Sequence, residues 1–192
     1  MNQRGASFLE IVVVLAIILI AGSLVEPSIQ SWRYKRALEA DFVAVLTEID
    51  YLKTRTRLVH GTGLLLCPNP KGDVLTYQIS TNPQSSTSTV ASGFQQNIVE
   101  DPRGSNPQFN VLSGKSQIVS GLCNGLRAIF VPTGQSGIEG TGAQIDLEID
   151  PVVSGVNQRA AYGAYRVQIS PTTGFVQKYQ WSISKKTWLE ID

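Results

Sequence analysis

Met1-Asn2-Gln3-Arg4-Gly5-Ala6-Ser7-Phe8-Leu9-Glu10 opens the chain, and no charged residue then occurs from Ile11 to Val25, ahead of Glu26 and Pro27. As a helix, the 20 residues from Ala6 to Val25 would be about 30 Å long, the hydrocarbon thickness of a bilayer. Three readings fit. In the first the stretch is a secretory signal, with Arg4 as its positive region and Ala21-Gly22-Ser23 as its cleavage site. In the second it is a plain single-span anchor. Both leave Glu10 without a reason, since a carboxylate inside an apolar helix costs up to about 3 kcal/mol. In the third, cleavage after Gly5 exposes the α-amino group of Ala6. An ammonium and a carboxylate on neighbouring helices then offset each other's desolvation. Glu10 lies one turn from Ala6 within a helix, and between staggered helices it meets the next subunit's amine. A charge pair completed only between subunits favours assembly.

Beyond Pro27 the apolar residues Leu38, Phe42, Val45, Leu46, Ile49, Leu52 and Val59 recur at spacings of three and four, with Arg36, Glu39, Lys53 and Arg57 between them. That spacing predicts an amphipathic helix. Pro27 lacks an N–H, so the expectation is one long helix from Ala6 to about Val59 with a weak point, its first half facing lipid and its second packed under a head. His60-Gly61-Thr62-Gly63 ends it, with Gly61 expected as the C-cap.

From Leu64 the period becomes two, in short runs separated by Gly, Pro, Asn and Ser, which predicts a β-rich head. Expected strands are Leu64 to Cys67, Leu126 to Val131, Ala143 to Asp150, Tyr165 to Ser170 and Phe175 to Ile183. The last two flank Pro171-Thr172-Thr173-Gly174 as a hairpin. Ser80 to Ser92 and Glu100 to Asn110 read as exposed loops. The fold class is therefore α+β: a long N-terminal helix, its apolar half protruding, with a C-terminal head of antiparallel strands.

The register of Gly5-Ala6-Ser7-Phe8-Leu9-Glu10 with the apolar run resembles the processing site of type IV pilins and type II secretion pseudopilins. The resemblance covers about the first 30 residues. It implies a prepilin peptidase that cuts between Gly5 and Ala6 and N-methylates Ala6, an assembly role for Glu10, and a helix-loosening role for Pro27. The implied divisions are 1–5 leader, 6–30 transmembrane and filament-core half, 31–60 amphipathic half and 61–192 head. Ala6 departs from the usual phenylalanine. In the head, Leu66-Cys67-Pro68, Ile129-Phe130-Val131-Pro132-Thr133-Gly134 and the hairpin through Gly174 are similar to FimT/FimU and GspH-like minor pilins and pseudopilins. The implied role is a minor pilin, a structural subunit of a type IV pilus. The alternatives are a pseudopilin for protein export and a DNA-binding minor pilin of natural transformation. Implied partners are other pilin subunits, the prepilin peptidase and an inner-membrane assembly platform. The implied location is the inner membrane with a periplasmic head, then a surface pilus or periplasmic pseudopilus. Arg33, Lys35 and Arg36 follow the apolar run while only Arg4 precedes it, which opposes that orientation under the positive-inside rule; long domains translocate largely regardless of such charges.

Composition narrows the chemistry. With 16 Lys and Arg against 15 Asp and Glu, no global field recruits nucleic acid. Cys67 and Cys123 have no zinc spacing and leave one disulfide or two free thiols. Closing about 57 residues would stabilise the fold by about 4 kcal/mol. The single histidine, His60, reads as a helix-end residue and not as a catalytic base. No phosphate loop or dinucleotide fingerprint occurs. Asp146, Glu148 and Asp150 share a strand face and read as a solvated face in preference to a calcium site. Some FimT-like pilins bind DNA through arginines near the final glycine turn, but Gly174-Phe175-Val176-Gln177-Lys178 has none. Lys178, Lys185 and Lys186 with Tyr179, Trp181 and Trp188 form the remaining candidate patch, read as solvated lysines and packed aromatics. No enzyme activity, metal or cofactor is expected.

Overall fold

The computed structural model describes residues 8–81, 108–109, 112–132 and 135–192. The leader, the cleavage site at Gly5 and Ala6, and most of the two expected loops lie outside them. A single helix, α1 (Phe8–Leu58), runs for 51 residues, about 77 Å at 1.5 Å per residue. Its backbone stays helical across Pro27, although a residue without an N–H forfeits one intrahelical hydrogen bond there.

The expected amphipathic stripe is the one that packs. Leu38, Phe42, Val45, Ile49 and Leu52 are buried in the core, with Leu46 and Val59 partly buried against it. Each fully buried side chain of this size stabilises the fold by about 2 kcal/mol. One carboxylate joins them. Asp41 is buried, and it accepts hydrogen bonds from Ser113 N and Ser113 Oγ, both at 2.9 Å, and from Ser116 Oγ. A buried charge needs such donors, so Asp41 ties the helix to the chain entering the fourth strand.

The helix end differs from expectation by one residue. His60, not Gly61, takes the left-handed conformation, at φ 50°. His60 N–H donates to Arg57 O at 3.2 Å and Gly61 N–H to Thr56 O at 3.1 Å, the paired bonds of a Schellman cap. Gly61 is needed for a different reason, since a Cβ there would lie 1.8 Å from the backbone oxygen of Ser80. At Gly63 an added Cβ would meet Thr56 Oγ1 at 2.4 Å; the helix lies directly on the first strand.

The head consists of β1 (Thr62–Leu66), β2 (Leu75–Ser80), β3 (Gln108–Phe109), β4 (Ser116–Val119), a 3-10 turn (Gly121–Asn124), β5 (Ala128–Phe130), β6 (Ser136–Ile138), β7 (Ile145–Val153), β8 (Val156–Asn157), α2 (Arg159–Tyr162), β9 (Tyr165–Ile169), β10 (Val176–Ser182) and β11 (Thr187–Ile191). They form two sheets of antiparallel neighbours, in the orders β3-β2-β1-β5-β6 and β11-β10-β9-β7-β4, with β8 paired to β7. The amphipathic half of α1 packs against both. Leu65, Leu75, Tyr77 and Ile79 of the first sheet and Ile145, Leu147, Ile149, Val167 and Ile169 of the second share one core with the helix residues. Phe42 stacks on Tyr165 with ring centroids 4.5 Å apart, and Tyr34 on Tyr162 at 5.0 Å. Leu64 and Ile129, opposite one another in the register, are buried on the other face of the first sheet.

The α+β class and the helix-then-sheet order agree with the sequence reading. All five expected strands are present, and Gly174 turns the last-but-one hairpin at φ 64°. β3 falls within the second expected loop, where Gln108 and Phe109 pair with Thr76 and Leu75.

Candidate functional site: an apolar helix half and its head

The residues singled out at the N-terminus stand on one helix. Glu10 is in the first turn of α1 and is exposed. Ile11, Val12, Val13, Val14, Leu15, Ile17, Ile18, Leu19 and Ile20 follow it, and every one is exposed. Successive helical residues step by about 100°, so these nine cover the full circumference. The side chains of residues 21–28, including Pro27, lie outside the described residues. Among the described residues no helix is long and apolar enough to cross a membrane.

Cys67 and Cys123 form a disulfide, with Cα atoms 4.6 Å apart. It joins the residue after β1 to the 3-10 turn and lines a cleft of about 630 Å³ with Pro68, Leu126 and Arg127. Of the two readings left open by the sequence, the paired one is realised.

The three acidic residues of β7 do not share one solvated fate. Asp146 is exposed and accepts from Gln144 Nε2 and Gln168 Nε2, each at 2.9 Å. Asp150 is only 1% exposed and accepts from Arg159 Nε at 2.8 Å, Arg159 Nη2 at 2.7 Å and Asn157 Nδ2 at 2.5 Å. Glu148 bridges Arg159 and Arg166. Burial pulls the Arg159 guanidinium downward, but its hydrogen bonds and charge interactions with Asp150 and Glu148 outweigh that and hold it above the ordinary arginine value. The carboxylates of Glu148 and Asp150 are therefore held by arginines. Among the described residues there is no cluster suited to a metal ion.

The same arginines reach the aromatic residues of β10 and β11. Arg159 lies 5.6 Å from the Trp181 ring centre and 5.1 Å from that of Trp188, and Arg166 lies 4.2 Å from Trp188. Trp181 and Trp188, paired across β10 and β11, meet edge to face at 5.3 Å. Their faces are occupied by the chain's own guanidinium groups. Lys178, one residue from Tyr179, points to the opposite side of β10, while Lys185 and Lys186 are exposed in the turn that follows. His60 serves the helix cap described above. Comparison with protein-family models, with curated proteins and with solved structures finds no match.

Two further features escaped the sequence reading. Lys53 Nζ donates to Gly174 O at 2.6 Å, fastening the β9–β10 turn to the helix. Burial, the largest influence, pushes the Lys53 ammonium below its ordinary pKa; Asp50 pulls it up and Arg57 pulls it down. A groove of about 1120 Å³ separates α1 from the last hairpin, with Trp32, Lys35, Arg36 and Val43 on the helix side and Ile183 and Leu189 on the other. It exists because a helix about 10 Å wide covers two or three strands spaced about 4.8 Å apart, and α1 lies over β7 and β9.

Proposed function

We propose that this chain is a membrane-anchored structural subunit of a type IV pilin-like filament, without catalytic activity, whose N-terminal helix half leaves lipid to pack among the helices of other subunits. The observation that carries the reading is one 51-residue helix with two halves of opposite character. From Leu38 to Leu52 it is the core of a β head, and from Ile11 to Ile20 it is apolar on every side and exposed. A helix apolar all round is stable only when surrounded by lipid or by other helices. Such a surface on an ordinary soluble domain would be an aggregation hazard.

Glu10 makes the exchange directional. In lipid its carboxylate is costly to keep. Beside the α-amino group of Ala6 on an adjacent subunit, after cleavage at Gly5, the opposite charge offsets its desolvation. The head stays outside the cytoplasm, where the Cys67–Cys123 disulfide is at home. Replacement of Glu10 by alanine tests the reading. The expected outcome is a chain processed at the normal site but depleted from sheared filaments; normal filament content would refute it. Amino-terminal sequencing of the mature chain separates this reading from a conventional signal peptide, which predicts cleavage near Ala21 instead of before Ala6.

A further inference from the structure

The positively charged residues that follow the apolar run sit at a particular place in the fold. Arg33, Lys35 and Arg36 are exposed on α1 beside Trp32, which is 57% exposed, and the Arg36 guanidinium lies 5.3 Å from the Trp32 ring centre. The last hairpin returns to the same end of the head. Ser182, Ile183 and Ser184 of its turn line the groove whose other wall includes Trp32, Lys35 and Arg36. Lys185 and Lys186 follow in that turn, both exposed, with Lys186 N–H donating to Ser182 O at 2.8 Å. A third element adds Lys115, whose ammonium lies 5.4 Å from the Tyr34 ring centre. Glu39 is the one acidic residue among those lining the groove. Segments far apart in sequence thus bring cations to one rim of the head, with Trp32 and Ile183 exposed among them.

We infer that this rim rests on the membrane surface and binds anionic phospholipid headgroups, orienting the head over the bilayer before assembly. The inference rests on the anchor reading above and deepens it. Trp32 lies seven residues beyond Val25, about 10 Å along a helix, and the headgroup layer on each side of a bilayer is about 5–8 Å thick. Side chains on a helix lean toward its N-terminus, and long basic side chains reach several ångströms, so Arg33 extends back into that layer while Lys35 and Arg36 stand within about a Debye length of it. Trp32 stands just beyond that layer and, leaning back toward the N-terminus, meets it as interfacial tryptophans do. Basic residues beside an anionic surface each strengthen attachment, and the effect is lost in high salt. Basic charge just outside the apolar run opposes the expected orientation; a headgroup contact gives it a function there.

The test uses the full-length chain in nanodiscs of phosphatidylcholine alone or mixed with phosphatidylglycerol, read by hydrogen exchange at the amides of residues 182–186. The expected result is slower exchange in the anionic discs only, abolished by high salt. Lys185→Gln/Lys186→Gln should lose about fivefold of the protection per lysine replaced, and Arg33→Gln/Lys35→Gln on the helix side should lose it to a similar degree. Equal exchange in the two discs, with the chain embedded in both, overturns the inference alone. Equal protection in neutral discs from inorganic phosphate or from duplex DNA overturns the assignment to lipid. A chain that enters neither disc refutes the anchor reading and this inference with it.

Discussion

Arg159 joins Asp150 and Glu148 on the outer face of the second sheet. Its guanidinium supplies two of the three hydrogen bonds reaching the buried Asp150 carboxylate, at 2.8 and 2.7 Å, and Asn157 supplies the third at 2.5 Å. Arg159→Met keeps much of the volume against Trp181 and Trp188 but leaves Asp150 charged, buried and short of two donors. A hydrogen bond to a charged group is worth about 1.5–3 kcal/mol, so two give about 3–6 kcal/mol, and breaking one side of a buried pair costs about 3–5 kcal/mol; the two routes overlap at about 3–5 kcal/mol. Removing the stranded charge should return part of it: Asp150→Asn/Arg159→Met is expected to recover about 2 kcal/mol, because an unpaired amide is cheaper to bury than an unpaired carboxylate. Urea unfolding of the full chain in nonionic micelles measures this, with the fluorescence of Trp181 and Trp188 reporting from the site itself. A loss under about 1 kcal/mol for Arg159→Met, or a double variant as unstable as the sum of its parts, would show that the network is not what holds this face.

Three more outcomes follow from the same contacts. Cys67→Ser/Cys123→Ser, or reduction of the native chain, should lower the unfolding free energy by about 4 kcal/mol through freedom regained by the unfolded state, measured by denaturant titration with and without reductant. Gly61→Ala should cost at least about 2 kcal/mol, because its methyl would enter the space of the Ser80 carbonyl; an unchanged midpoint would mean that β2 can yield there. Lys53 has a folded-state pKa depressed by burial, so the folded chain gives up that proton before the unfolded chain does. Stability should rise with pH through the folded value toward the ordinary lysine range near 10.4, relative to Lys53→Met; a pH-independent difference between the two chains contradicts it.

The helix was legible because its signal is local. Leu38, Phe42, Val45, Ile49 and Leu52 repeat at helical spacing, and the residues that complete their burial only had to be apolar. The hairpin at Pro171 to Gly174 was legible for the same reason, since turn chemistry is written in four adjacent residues. What was not legible depends on register. Glu148 reads as a solvated strand residue until β7 and β9 pair it with Arg166, and nothing near Asp41 in the sequence announces the serines 72 and 75 positions later that reach it. Propensity places the helix cap at Gly61, but the close approach of Ser80 is what requires a glycine there, and His60 accepts the left-handed conformation next to it. The short edge strands β3, β8 and β11 carry too few residues, or too little alternation, to announce themselves. Of the candidate site, Glu10 and the apolar run could be placed from the sequence. The basic rim could not, because it is assembled by the return of the last hairpin to the helix.

The way α1 is seated also fixes how the chain bears load. A pull along the helix axis from its exposed end would be carried at once by the buried turns from Leu38 to Leu52, wedged between two sheets, so the contacts shear together and do not peel one after another. The disulfide takes no part in that path, since it joins two segments of the head. The covalent joint at His60 and Gly61, at the far end of the helix, comes under tension only after the packed interface has slipped. Strength under traction therefore resides in the fit of five apolar side chains, and substitutions that leave the resting fold intact but shave that fit should show themselves first when the helix is pulled along its axis.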